Sequence, residues 1–339
     1  MFDFYNFNNS IDIPKVKVKK FIKNGLIKIS SRKNSNEKIS LEKTRNIVEE
    51  IFKKKGYPKI INLDEIDNQE FQEIILKNLS NPSVKKFFKE LSKESGEEVT
   101  LFPYIHLMRN YFSGPQNGLH GWHNDAIGEY FTDYGKMKLS SKKYVFGKIS
   151  ISLQKNGIFG GNIDIAKATF KRSSRISLRQ KFLAKSTGLF FQIFNNSPSI
   201  PSFFGDKWLT DFFSFFVKPK TLNPEPFDVI AFEHRLFHRG TPPSPKGWNK
   251  LLKKYPLLKI NNHKISGEFD LKDKNKYIIY AHFGNFTGLE SYLHTRSLGN
   301  YYADEIKIWK NQYEELKIFK KFFKNSHKLF NQGLNNLKI

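Results

Sequence analysis

The segment Gly118-Leu119-His120-Gly121-Trp122-His123-Asn124-Asp125 carries a His-x-Asp pair, His123 and Asp125, behind an aromatic, strand-like run from Tyr104 to Phe112. On an extended backbone, residues two apart point to the same side. One imidazole and one carboxylate therefore reach a common metal ion without distorting the chain. A second, distant histidine would complete a 2-His-1-carboxylate facial triad, a ligand set that leaves positions of a ferrous ion open for a co-substrate and dioxygen. A lone His-x-Asp pair arises by chance in many chains of this length, so the third ligand and the scaffold must come from elsewhere.

The block Phe227-Asp228-Val229-Ile230-Ala231-Phe232-Glu233-His234-Arg235-Leu236-Phe237-His238-Arg239-Gly240-Thr241-Pro242 supplies the candidates. A strand followed by a tight turn and a short return segment would carry His238 back toward His123 and Asp125. His234, four residues earlier, competes for the place and falls in the turn. His120 stands at His-x-x-His spacing to His123, but the His-x-Asp geometry favours a place beside the substrate over ligation. Arg109 and Lys148 lie on strands, where an inward charge would meet an anionic substrate and an outward one would meet water; the pattern leaves both readings open.

The elements that must position these residues divide the chain. Residues 1–98 read as mostly helical support. Lys19 to Ser30 gives a short helix, a stop at Gly25 and a strand over Leu26 to Ile29. Ser40 is the N-cap expected for a helix that ends at Gly56-Tyr57-Pro58. A second helix is expected from about Asp67 to Leu79, and a third from Asn81-Pro82-Ser83, where Val84, Phe87, Phe88 and Leu91 recur at helical spacing. Residues 99–290 turn to strands: Tyr104 to Phe112, Tyr144 to Gln154, Asn162 to Ala166, Phe227 to Phe232 and Lys276 to Phe283. Such strands after a helical start suggest an antiparallel barrel or jelly roll buttressed by helices. Insertions are expected at about 167–226 and 245–275. The first opens with Arg172, Arg175 and Arg179 and becomes strongly aromatic from Phe190 to Phe216, as a helical hairpin or as a lid over an apolar substrate. Residues 304–330 read as one amphipathic helix with Ile306, Trp309, Tyr313, Leu316, Phe319, Phe322 and Phe323 on its apolar stripe. Packing on the barrel is preferred for it over membrane docking, which its basic face would permit. With no internal repeat or linker, residues 1–339 are expected to form a single domain.

Composition sets the outer bounds. The 339 residues include no cysteine, which rules out disulfides and thiolate-held metals, so a metal must rest on histidine and carboxylate. The net charge of +25 comes from 57 Lys plus Arg against 32 Asp plus Glu. Only nine of those 57 cations are arginine, the residue that phosphate and base recognition favour. Most of the lysines are therefore read as surface solvation, and a nucleic-acid partner is disfavoured. There is no secretory signal pattern and no apolar run long enough to span a membrane, which gives a cytoplasmic reading with peripheral membrane contact still open.

In this order of pieces (helix, Gly25 and strand; His123-x-Asp125; a strand leading to Gly160-Gly161; Asp228-Val229-Ile230-Ala231-Phe232 with His238) the chain resembles the phytanoyl-CoA dioxygenase-like group of Fe(II)/2-oxoglutarate-dependent oxygenases. The resemblance runs from Phe21 to Phe283. It implies a mainly β fold with flanking helices around a double-stranded β-helix (jelly-roll, cupin-like) core, with His123, Asp125 and His238 as iron ligands. It also implies 2-oxoglutarate as co-substrate, its far carboxylate held by a basic residue on the strand after the distal histidine. Lys276 stands at that place, with Arg239 and Arg235 as fallbacks. The chain departs from the group here, because a lysine replaces the usual arginine fork and the gap from His238 is lengthened by the second insertion. The group's Pro-Gly-Ser-His segment is replaced by Ala166-Lys167-Ala168-Thr169. The implied activity is hydroxylation of an aliphatic C–H, with dioxygen, of a small-molecule, lipid-like or carrier-linked substrate; the aromatic insertion points to an apolar or acyl portion and the cations to an anionic one, and neither identifies it. Asp125 stands where glycine or alanine would make room for a halide, so hydroxylation is expected over halogenation. The rival reading is a non-catalytic jelly-roll protein that binds an anionic lipid or glycan.

Overall fold

A computed structural model describes residues 15–29, 37–58, 60–110, 123–155, 157, 163–166, 170, 172–181, 219–241, 246–247, 250, 253, 276–298, 300–316, 320–323 and 325–336. Strand β1 (Leu26–Ile29) follows helix α1 (Lys15–Asn24) through Gly25, whose φ of +69° is a left-handed value that suits glycine. Helix α2 (Glu37–Lys54) begins earlier than its expected cap, so Ser40 sits inside it. Strand β2 (Ile60–Asn62) precedes α3 (Gln69–Leu79), and α4 (Pro82–Ser95) follows with Pro in its first turn. Asn68 and Asn81 cap these two helices by accepting from the amides of Phe71 and Val84 at 2.9 and 3.0 Å.

The strands build two antiparallel sheets. In the larger, β3 (Thr100–Asn110), β4 (Phe146–Ser152), β7 (Val229–Glu233) and β9 (Lys276–Gly284) join β1 and β2 in the order β1-β7-β4-β9-β3-β2. The smaller sheet is β6-β5-β8, made of β5 (Ile163–Ala166), β6 (Pro219–Thr221) and β8 (His238–Gly240). Alternation along the strands sorts the side chains into two layers. Ile149, Ile151, Val229, Ala231, Ile279, Ala281 and Phe283 face outward and share a core with Phe52, Phe71, Phe87 and Leu91 of the helices. Ile230, Phe232, Ile278 and Tyr280 face inward and meet Ile163 and Ile165 of the smaller sheet. The sandwich is therefore three layers deep: helices, large sheet, small sheet.

The expected antiparallel sheets with flanking helices are present, but helices make up 52% of the described residues, so a mainly β content is not shown there. A two-sheet core of this size leaves one face of its large sheet apolar, and the helices bury that face. Where one C-terminal helix is expected, the described residues form α7 (Asn300–Glu315), α8 (Lys320–Phe323) and α9 (Ser326–Asn336), preceded by α5 (Asp133–Ser140) and α6 (Phe286–Ser297) earlier in the chain. Ile306, Trp309, Tyr313, Leu316 and Phe323 are buried, as packing on the barrel requires. Among the described residues, no helix is long and apolar enough to cross a membrane. The aromatic stretch Phe190 to Phe216, and almost all of 245–275, lie outside the described residues.

Trp309 is the keystone of the C-terminal packing. It is 1% exposed and lies 4.8 Å from the Tyr104 ring, 5.5 Å from that of His282 and 5.7 Å from that of Phe330. Trp309→Ala should cost about 3–5 kcal/mol of unfolding free energy in urea titration. A loss below about 1 kcal/mol would show that α7 is not part of the core.

Candidate metal centre

The site forms where the His-x-Asp turn meets β8. His123 and His238 exchange backbone hydrogen bonds in both directions, His123 N to His238 O at 3.0 Å and His238 N to His123 O at 2.8 Å. This antiparallel bridge adds one rung to the smaller sheet and sets the two imidazoles side by side, ring centroids 4.4 Å apart. Asp125 is fixed by its own backbone: its amide, at 2.9 Å, and that of Ala126 both donate to the carbonyl of His234. The Nε2 atoms of His123 and His238 each lie 3.8 Å from a different oxygen of the Asp125 carboxylate. One ligand atom from each of the three residues lies within 4.8 Å of the others. Among the described residues, this is the one group of three such side chains close enough to share an ion.

The donor set fits a divalent metal. His238 Nδ1 lies 3.0 Å from the carbonyl of Leu236, which favours a proton on Nδ1 and leaves Nε2 with its lone pair toward the site. Asp125 Oδ2 is buried and accepts no hydrogen bond. Metal–ligand bonds of roughly 2.0–2.2 Å require the three groups to close by about an ångström on loading. His123, whose side chain is 54% exposed, has the room to make that movement.

A cation is already present. Lys148 Nζ sits 3.0 Å from Asp125 Oδ1, with side-chain exposures of 19% and 10%. Burial alone would raise the carboxyl, but Lys148 and the imidazoles of His238, His234 and His123 outweigh it and hold Asp125 well below the usual carboxylate range. Burial, helped by Lys148, pushes His106 down to about 3. Burial, then the neighbouring His123, does the same to His238, also to about 3. His234 and His282 are driven down chiefly by burial. Four buried histidines are thus kept neutral around one buried carboxylate.

A second buried charge group anchors the chain just after Asp125. Arg235, in the turn before β8, pairs with Glu233, lies over the Tyr144 ring and donates to Leu139 O at 3.0 Å. Glu129 accepts from the hydroxyls of Tyr144 and Ser291. Burial pushes it up to about 7 despite those two hydrogen bonds. This network ties residues 129–144 to the turn that presents His234 and His238.

The structure brings together His123, Asp125 and His238. It does not bring in the residues implied for the co-substrate. Lys276 opens β9 at the far end, six residues before His282, about 20 Å along a strand, and its ammonium donates to Lys155 O at 2.9 Å. Arg239 faces away from His238 on β8 and bonds Asp164 Oδ2 at 3.0 Å. Arg235 serves the network just described, and Arg109 donates to Tyr57 O at 2.5 Å. His120 lies outside the described residues. His234 contributes its carbonyl, with its ring packed against Phe146. The orientation of Lys148 is left open by its place in the sequence, and no local motif singles out His106 or His282. The available signal was the polar half of the β4 alternation, Lys148, Ser150 and Ser152, which faces the barrel interior and not solvent.

No protein-family model and no curated protein matches the chain. Among solved structures it is similar to AviO1 from Streptomyces viridochromogenes Tue57, with a TM-score of 0.44, 10% identity, and coverage of 81% of this chain and 97% of that one. EctD from S. alaskensis, solved with 2-oxoglutarate and 5-hydroxyectoine, gives a TM-score of 0.45 at 9% identity over 84% and 81%. SnoK, a non-heme alpha ketoglutarate dependent carbocyclase from nogalamycin biosynthesis, gives 0.43 at 11% over 83% and 87%. Likeness at this level assigns no activity to the chain.

The buried histidines make metal-free stability depend on pH with a defined sign. Between about 3 and 6.5 the unfolded chain binds protons that folded His106 and His238 refuse. Their contribution is complete above the unfolded value and is lost as pH falls through that window. Glu129 acts oppositely between 4.5 and about 7 and Asp64 between 3.8 and about 6, but as two groups against four. The urea midpoint of metal-free protein should therefore fall between about pH 7 and pH 5, and His106→Asn should flatten the slope. A midpoint that rises over this range would mean the imidazoles are not held neutral.

Proposed function

We propose that this chain is a non-haem Fe(II)/2-oxoglutarate-dependent oxygenase that hydroxylates an aliphatic C–H of a small-molecule, lipid-like or carrier-linked substrate. The observation that carries the reading is the gathering of His123, Asp125 and His238 at the rim of the two-sheet core, their ligand atoms within 4.8 Å of one another. Two imidazoles and one carboxylate on one side of an ion make the facial arrangement that suits ferrous oxygenases and leaves the other side open. Bound iron with a 2-oxo acid would supply the oxidising power, the oxo acid being consumed to succinate and carbon dioxide as dioxygen is reduced.

The protein's own share is positional. The His234 carbonyl and the Arg296 guanidinium, whose Nη2 lies 3.4 Å from Asp125 O, hold the backbone of the carboxylate ligand. The Leu236 carbonyl orients His238. Tyr104, Phe146, Tyr292 and Trp309 wall the interior beside the site and limit its water.

The test is anaerobic metal titration followed by assay of succinate formation. Wild-type protein should take up about one Fe(II) and convert 2-oxoglutarate to succinate when oxygen is admitted. His123→Ala, Asp125→Ala and His238→Ala should each lower turnover by at least about a hundredfold while the fold survives. If two of these variants kept wild-type iron-dependent turnover, the ligand assignment would be wrong. Absence of succinate from the metal-loaded wild type would favour the binding-protein reading.

A further inference from the structure

The interior face of the large sheet is arranged in rows. In register, Lys148 lies opposite His282 and Ser150 opposite Tyr280 across β4 and β9, while His106 lies opposite Tyr280 across β3 and β9. Tyr104 completes the first row by stacking on His282, centroids 4.6 Å apart. The first row is thus Lys148, His282 and Tyr104, beside Asp125; the second is Ser150, Tyr280 and His106. The third, Ser152, Ile278 and Met108, begins the apolar floor shared with Ile163, Ile165 and Ile230. Among the described residues of the two rows nearest the triad, Lys148 is the one cation.

A 2-oxo diacid that chelates a metal at the triad carries a second carboxylate away from the ion. Placed in this interior, that charge is costly without a cation and hydrogen-bond donors. His106 Nδ1 and His282 Nε2 are buried in the same two rows and have no hydrogen-bond partner. The His106 ring, held neutral by burial, can offer an Nδ1–H to an anion without adding charge, whereas His282 directs its Nδ1–H to the carbonyl of Tyr104 at 3.4 Å and turns a lone pair inward. Lysine brings a mobile point charge on a four-carbon stem, where arginine would bring a fixed fork. In the metal-free protein, that point charge neutralises Asp125. A divalent ion at Asp125 does the same more strongly and repels the ammonium beside it.

We propose that Lys148 is the residue that holds the second carboxylate of the co-substrate, supplied from β4 and not from the last strand, and that metal binding releases it from Asp125 for that role. The inference rests on the oxygenase reading and deepens it. Metal and co-substrate binding become coupled through one side chain: the metal displaces Lys148, and the displaced ammonium completes the anion site. Such coupling is reciprocal between the two ligands.

The test is calorimetric titration of the Mn(II)-loaded protein, without turnover, with 2-oxoglutarate and with 2-oxobutyrate, which lacks the second carboxylate. Lys148→Met should weaken 2-oxoglutarate binding by at least about tenfold and leave 2-oxobutyrate within about twofold. Lys148→Arg, which keeps the charge, should stay within about threefold of wild type for 2-oxoglutarate. Mn(II) affinity without co-substrate should be unchanged or tighter in Lys148→Met, since a competing cation is gone. Circular dichroism and melting temperature check the fold of each variant, and Lys148→Gln takes over if Lys148→Met does not fold. Unchanged 2-oxoglutarate affinity in Lys148→Met overturns the proposal, as does equal weakening of both oxo acids. Weakening by Lys276→Ala alone also overturns it and places the anchor on β9. Wild-type protein that binds no Mn(II) removes the oxygenase reading as well, an outcome distinct from Mn(II) binding with no role for Lys148.

Discussion

Asp125 is a carboxylate whose side chain is only 10% exposed, and much of the surrounding structure serves to keep its charge there. An isolated buried carboxylate would take up a proton. Here the Lys148 ammonium lies 3.0 Å away, so the charged form persists. The charge must also be held in place, which the backbone does. The amides of Asp125 and Ala126 converge on His234 O, and the reciprocal bridge between His123 and His238 pins the turn to β8. Side-chain chemistry and backbone pairing thus depend on one another. Without the bridge the histidines would separate, and without Lys148 the carboxylate would be an unpaired cost.

The same constraint explains the aromatic density around the site. Neutral buried histidines are stable where rings pack on them and water is scarce. Tyr104 stacks on His282, Phe146 meets His234 edge-on, and Trp309 lies behind both Tyr104 and His282. These rings come from three distant parts of the chain, so the C-terminal helices complete the environment of a site whose ligands lie far earlier. The buried Glu233–Arg235 pair, with Tyr144 and Glu129, does comparable work for the segment after Asp125. Paired charges of this kind contribute little net stability; their use here is to fix one register for the loop that carries a ligand.

Much of this was legible from the sequence because it depends on local pattern. The alternation of Phe146 to Ser152 and of Lys276 to Gly284 marks strands, and Gly25 marks the left-handed turn between α1 and β1. Asn68 and Asn81 cap helices where turn chemistry predicts a start. His123 and Asp125 are two apart and share a side by backbone geometry alone. The start of α2 and the weight of helix over strand among the described residues were not legible, since each depends on what the helices pack against.

The sequence by itself determined which residues can ligate a metal, which segments are strands and which side chains share a strand face. Only the tertiary structure decided which face points inward. On β4 the apolar face turns to the helices and the polar face, Lys148, Ser150 and Ser152, turns to the interior, the reverse of a strand with one solvated side. It also decided that Lys276 and Arg239 are engaged elsewhere, while Lys148 stands beside Asp125. The physical reason is that strand periodicity fixes only the relation of a side chain to its neighbours two residues away. Which layer covers each face, and which distant histidines meet there, is set by long-range pairing between strands that no local pattern encodes.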